Sequence, residues 1–307
     1  MNEKKHRILD RPVLGYFLLI IFAQIFITLG ERIDLAAGRF IPGYVTEMIS
    51  NGSTVKTASG FGAAIGALAA AWLFKLRMRP DFNGCLQREG LKEGLLMLLP
   101  FLVLHGIGSV VSWITFGTGS VLIAFLRAFA PGFGEEFAFR GMGVANYMRT
   151  ARSGKQIRTV FWLSSIVFGL VHLANLTAGG DPAAVAIQSV YAVGVGMLLG
   201  AVYLRTGNLW PTIIGHFTVD FMELIRRDLS ASSGIMTGMG IGVWITIAAA
   251  VLAAVLALRL MRLEHWPEIL EVWRRKWSRM EGIVPDERDS DDVPTDGDTE
   301  TGEQGDL

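Results

Sequence analysis

Cysteine is almost absent. Cys85 is the only one in 307 residues, so no intrachain disulfide is possible and a secreted disulfide scaffold is excluded. Charge is also scarce: Asp, Glu, Lys and Arg make up 18% of the chain, where a soluble domain usually carries about 25%. No P-loop, dinucleotide fingerprint or soluble ATP-binding domain is present, which excludes a complete pump. A Gly-x-Ser-x-Gly motif and a Ser-His-Asp arrangement are missing as well, and nothing points to nucleic acid. What is there is apolar. Hydrophobic residues make up 51% and the mean hydropathy is +0.42. They are gathered in blocks, several of which reach the roughly 20 residues that cross a bilayer. A soluble enzyme and a disordered protein are excluded with them. The formal net charge of zero conceals a basic front and an acidic tail.

The apolar blocks are 13–29, 58–74, 95–114, 121–130, 160–176, 183–204, 209–225 and 241–258. The first follows a basic start, as in a signal peptide, but no small-residue cleavage site comes after it, so it reads as an uncleaved span. Pro100 is expected to kink the third span. The fourth ends at Pro131-Gly132, after which a new helix is expected over 134–148. The pattern predicts an all-α, polytopic membrane helix bundle of about eight transmembrane helices, with a broken fourth span. Its expected limits are 1–263. Residues 264–280, with Trp266, Trp273 and Trp277 among basic residues, read as an interfacial amphipathic helix. Residues 281–307 are acidic and poor in apolar side chains, the composition of a disordered tail.

Lys and Arg alternate between loops. Lys4, Lys5, Arg7 and Arg11 precede the first span, and Lys75, Arg77, Arg79 and Arg88 follow the second. Arg152 and Lys155 lie in the loop 149–158, and Arg274, Arg275, Lys276 and Arg279 come after the last span. By the positive-inside rule both termini face the cytoplasm of a multi-pass cell-membrane protein. Arg226-Arg227 is the one contradiction. Gly62-x-x-x-Gly66, Gly196-x-x-x-Gly200 and Gly234-x-x-x-Gly238-x-x-x-Gly242 fit close helix packing, more readily within the chain than between chains.

Ionisable side chains inside apolar spans are costly and point to a buried polar site. Three clusters qualify. In Glu135-Glu136-Phe137-Ala138-Phe139-Arg140, Glu136 and Arg140 are i,i+4 neighbours in the favourable order, so they neutralise each other as structural support. Glu135, about 100° round the helix, is left for chemistry, and a helix beginning after Pro131 would favour it as an anion. Folding the chain about residues 153 and 154 sets His172 opposite Glu135, with Asn175 on the His172 face as further support. His216 and Asp220 again share a face. Asp220 either orients the imidazole or joins it as a metal ligand. Such a set can activate water through a carboxylate base helped by histidine. Alternatively, His172 and His216 with Glu135 or Asp220 bind zinc, which lowers the pKa of its water to about 7.

Glu135-Glu136-x-x-x-Arg140, Phe168-x-x-x-His172 and His216-x-x-x-Asp220 resemble, in order, the three motifs of the CPBP family. This is the CAAX protease and bacteriocin-processing, or Abi, family of intramembrane endopeptidases. The stretch Tyr203-Leu204-Arg205-Thr206-Gly207-Asn208-Leu209-Trp210-Pro211 is similar to bacterial members, and the resemblance covers about residues 92–226. It implies hydrolysis of membrane-associated proteins or peptides within or beside the lipid bilayer. Glu135 would activate water, with His172, His216 and position 220 in the site. The family's usual Asn stands here as Asp220, which when ionised cannot donate to an oxyanion. Members are described both as metalloproteases and as metal-independent glutamate proteases, so the resemblance leaves zinc open. Two other classes fit buried Glu, His and Asp. One is an ion-coupled transporter, against which the lack of a clear internal repeat counts. The other is a non-catalytic immunity or partner-binding membrane protein.

Overall fold

The computed structural model describes residues 11–38, 57–74, 88–119, 121–177, 180–225 and 241–281. The regular elements there are helices: α1 (Pro12–Gly38), α2 (Thr57–Leu73), α3 (Leu91–Phe116), α4 (Val121–Glu136, continued by Phe137–Val144 and Ala145–Met148), α5 (Gly154–Leu170, with a 3-10 end at Val171–Leu176), α6 (Pro182–Thr206), α7 (Trp210–Leu224), α8 (Ile241–Leu260) and, after a turn at Leu263–His265, α9 (Trp266–Glu281). The fold is an all-α membrane-type bundle. Four helices (α1, α3, α5 with its 3-10 end, and α6) are long and apolar enough to cross a membrane, and 246–260 with 263–278 qualifies only as a pair bent by 55°. The other three expected spans are helices too, but α2 has 17 residues, α7 has 15, and α4 carries Arg127, Glu135, Glu136 and Arg140. Lys4, Lys5, Arg7, Lys75, Arg77, Arg79, Cys85, Arg226, Arg227, Gly234, Gly238 and the acidic tail beyond Glu281 lie outside the described residues.

Helix α6 is the centre of the bundle. In its most apolar window 67% of residues are buried, against 22–33% for the other three long spans. It packs against α3, α5, α7, α8 and α9. A second layer runs from α1 through α2 to α4 and on to α7. Gly62 and Gly66 serve the first of these contacts, since a Cβ on either would lie 2.4 Å from the Phe26 or Phe22 carbonyl oxygen of α1. Asp34 pins the same pair at one end. Its two carboxylate oxygens accept from the backbone N–H groups of Ala58 and Ser59 (2.9 and 3.0 Å), which lie in the first turn of α2.

The break expected at Pro131-Gly132 is absent. Pro131 lies inside α4, and the helix relaxes to π geometry only at Phe137–Val144. Proline removes one ladder bond, but α4 is held between α2 and α7 along this stretch. A Cβ on Gly132 would sit 3.0 Å from the Phe217 nitrogen of α7, and one on Gly134 would sit 1.9 Å from the Gly60 oxygen of α2. Packing on both sides carries the helix through. Glu135 and Glu136 are therefore not in the first turn of a new helix, and the helix-dipole argument for Glu135 lapses. Gly134→Ala has no room to relax against backbone. It is expected to cost at least about 1–3 kcal/mol, the usual range for overpacking, and a thermal melt of the purified variant checks this.

Helix α9 docks by its inner face onto the α6–α7 corner. The Trp273 indole N–H donates to the Leu204 oxygen (3.0 Å), and the Lys276 ammonium donates to the Gly207 oxygen. Lys276 is buried, with Nζ 5.2 and 5.0 Å from the Tyr203 and Trp273 ring centres. These contacts satisfy carbonyls left over where α6 ends, at Gly207 with φ 63°.

Candidate active site

Helix α4 delivers three polar side chains to the interior in a few residues. Glu136 and Arg140 are both fully buried, with Arg140 Nη1 donating to Glu136 Oε1 at 2.7 Å. The expected i,i+4 pair is present. Arg140 also donates through Nη2 to the Gly196 oxygen of α6 (3.2 Å) and lies 4.2 Å from the Phe168 ring centre of α5. Gly196 thus serves as a seat for the guanidinium as well as a packing residue. A charged pair removed from water in this way needs this number of hydrogen bonds to persist.

His216 of α7 joins the pair. Its Nδ1 lies 3.0 Å from Glu136 Oε1, so the ring donates there, and its Nε2 lies 3.6 Å from Asp220 Oδ2. The carboxylate nearest His216 is therefore Glu136; Asp220 stands beyond hydrogen-bond length. The sequence spacing did not disclose this, because Glu136 and His216 are 80 residues apart. Tyr16 of α1 was missed as well. Its fully buried ring presses on the same helix: a Cβ on Gly143 would sit 2.6 Å from Tyr16 Cε2. The Tyr16 hydroxyl, Glu136 Oε2 and Arg140 Nε find no hydrogen-bond partner among the described residues.

Glu135 points elsewhere. It is half-buried and, with His172 and Asn175, lines a cavity of about 470 Å³. The expected hairpin register thus brings Glu135 and His172 to one cavity. His172 Nδ1 lies 2.8 Å from the Phe168 oxygen. A carbonyl only accepts, so Nδ1 carries the proton and Nε2 is the basic nitrogen of the neutral ring. Asn175 Nδ2 donates to Gln188 Oε1 of α6 (2.8 Å), which fixes the amide at the cavity wall. The remaining walls come from α1 and α2: Gln24, Thr28, Glu31, Arg32, Ser59 and Gly60. Residues 24, 28 and 31 recur at helical spacing, a polar stripe within the first apolar span. The stripe runs past residue 29, where the apolar block ends, because α1 continues to Gly38.

His216 is not among the residues lining this cavity. Phe168 packs against both histidines, its ring centre 5.5 Å from that of His172 and 5.7 Å from that of His216. Of the expected set, Glu135 and His172 line this cavity, while His216 is joined to Glu136. Among the described residues, no three His, Cys, Asp or Glu side chains are placed to hold a metal ion.

Residues 117–222 match the family model described as Rce1-like, type II CAAX prenyl endopeptidase. Over this segment the chain is similar to the CAAX protease family. The segment contains Glu135, Glu136, Arg140, His172, His216 and Asp220, and excludes α1, α2, α3, α8 and α9. The match indicates a membrane protease. Comparison with curated proteins and with solved structures finds no match.

Proposed function

We propose that the protein is an intramembrane endopeptidase in which Glu135 activates water against a peptide bond held in the cavity beside His172. The observation that carries this reading is the shared cavity. A half-buried carboxylate and an imidazole of fixed tautomer face one space, on elements matched by a membrane-protease family. Water donates one hydrogen to Glu135 and the other to His172 Nε2, so its lone pair is aimed at the carbonyl carbon. As oxygen attacks, Glu135 takes the proton. The second amide hydrogen of Asn175 supports the developing oxyanion. Glu135 then passes its proton to the departing amine, and the peptide bond breaks. His216, Glu136 and Arg140 act one layer behind, holding the helix turn that presents Glu135.

No step in this scheme requires a metal. The test is cleavage of tagged membrane peptides by the purified protein, with and without a chelator. Product in both arms is expected. Product only without chelator would assign a metal role to the site, and none in either arm would overturn the peptidase reading.

Asp220 contributes less than its place in the motif implies, because its carboxylate lies 3.6 Å from His216 Nε2 while Glu136 holds the other nitrogen at 3.0 Å. Asp220→Asn is expected to change kcat/KM by less than about tenfold, the equivalent of 1.4 kcal/mol. A much larger loss, measured on the same peptides, would move Asp220 into the reaction.

A further inference from the structure

Helix α1 lies outside the segment matched by the family, yet it supplies one wall of the cavity. Three close backbone contacts set its height. A Cβ on Gly30 of α1 would sit 2.5 Å from the Ser59 Cα of α2, one on Gly60 of α2 would sit 2.4 Å from the Pro131 nitrogen of α4, and one on Gly134 of α4 would sit 1.9 Å from the Gly60 oxygen. The next residue after the first of these glycines is Glu31, and the next after the last is Glu135. The seam therefore brings the helix turns that carry the two carboxylates to about one level, and both residues line the one cavity.

Glu31 is half-buried within a candidate membrane span and has no ion-pair partner among the described residues. An ionised group in such a place is costly unless something neutralises it. Its neighbour Arg32 is exposed, so its charge is in reach of water. Behind Glu31, the Thr28 hydroxyl donates to the Gln24 carbonyl oxygen (3.1 Å), so its own oxygen is left as an acceptor along the same wall. Two carboxylates and an oxygen-rich stripe, with exposed Arg32 the one arginine among the described lining residues, attract a cation.

We infer that Glu31 is a specificity-determining residue that binds a lysine or arginine side chain flanking the cleaved bond, so that the preferred substrates are membrane peptides with a basic residue there. This rests on the peptidase reading above. The ammonium or guanidinium group pairs with Glu31 while the neighbouring peptide bond lies against Glu135 and His172. The rival is an acidic side chain on Arg32.

The experiment compares three membrane peptides that differ only at a position flanking the cleaved bond, as Lys, norleucine or Glu. Cleavage and equilibrium binding are each measured with wild type, Glu31→Gln and Glu31→Lys, and thermal melts establish that the variants are folded. The wild type is expected to favour Lys over norleucine by about 10–100-fold, as a charge-assisted contact provides. Glu31→Gln should bring that ratio near one, and Glu31→Lys should turn the preference to Glu. An unchanged ratio in Glu31→Gln, or a wild-type preference for the Glu peptide, would overturn the inference. If no peptide is cleaved, the peptidase reading fails and binding alone decides: a Lys preference lost in Glu31→Gln upholds the cation site, and equal binding by both proteins overturns it.

Discussion

Glu135→Gln is expected to lower peptide cleavage by about 10²–10⁴-fold, the usual contribution of proton transfer by a positioned side chain, with the fold intact. The substitution keeps the size and a hydrogen-bonding end but removes the group that accepts the proton from water. Folding should survive because Glu135 faces the cavity, while the buried contacts of this helix turn are made by Glu136 and Arg140. Steady-state kinetics on one peptide, beside a thermal melt, separates the two effects. Full activity in the variant would remove Glu135 from the chemistry and leave Glu136 as the remaining carboxylate on this turn.

Arg140→Ala should act in the opposite sense, on stability before activity. Glu136 and Arg140 are both fully buried, and Arg140 also holds the Gly196 oxygen and lies over Phe168. Removing the cation leaves Glu136 charged in the interior with only His216 against it. Breaking a buried pair on one side typically costs about 3–5 kcal/mol, so yield and melting temperature should fall together with activity. The double variant Glu136→Gln, Arg140→Met removes both charges and is expected to regain part of that loss, since replacing a whole pair is far less costly than halving it. An Arg140→Ala protein as stable as wild type but inactive would instead place Arg140 in the reaction.

How far these residues were legible from the sequence depended on the range of the interaction. Glu136 with Arg140 and His216 with Asp220 are i,i+4 pairs on single helices, so spacing alone brought them together. The His172 register followed from one short hairpin. Contacts between distant helices were not legible. His216 on Glu136 and Tyr16 on the π segment each depend on how whole helices cross. Phe168 lay within a recognised motif, but its contact with both histidines is a tertiary fact that no periodicity encodes. At Pro131, local propensity and packing disagreed, and packing by Gly132 and Gly134 against neighbouring backbone prevailed. The polar stripe of Gln24, Thr28 and Glu31 is visible as spacing, but Glu31 lies beyond the apolar block, and only the continuation of α1 to Gly38 brings it into the same wall.

The most direct test of the account sets hydrolysis against transport, because buried Glu and His side chains also make proton relays. Wild type and Glu135→Gln would be reconstituted in liposomes with a membrane-peptide library, and cleavage products and proton uptake followed in the same vesicles. The account predicts cleavage products from wild type, their loss in Glu135→Gln, and no proton uptake in either. Absence of product from every peptide, together with proton uptake by wild type that Glu135→Gln abolishes, would contradict it.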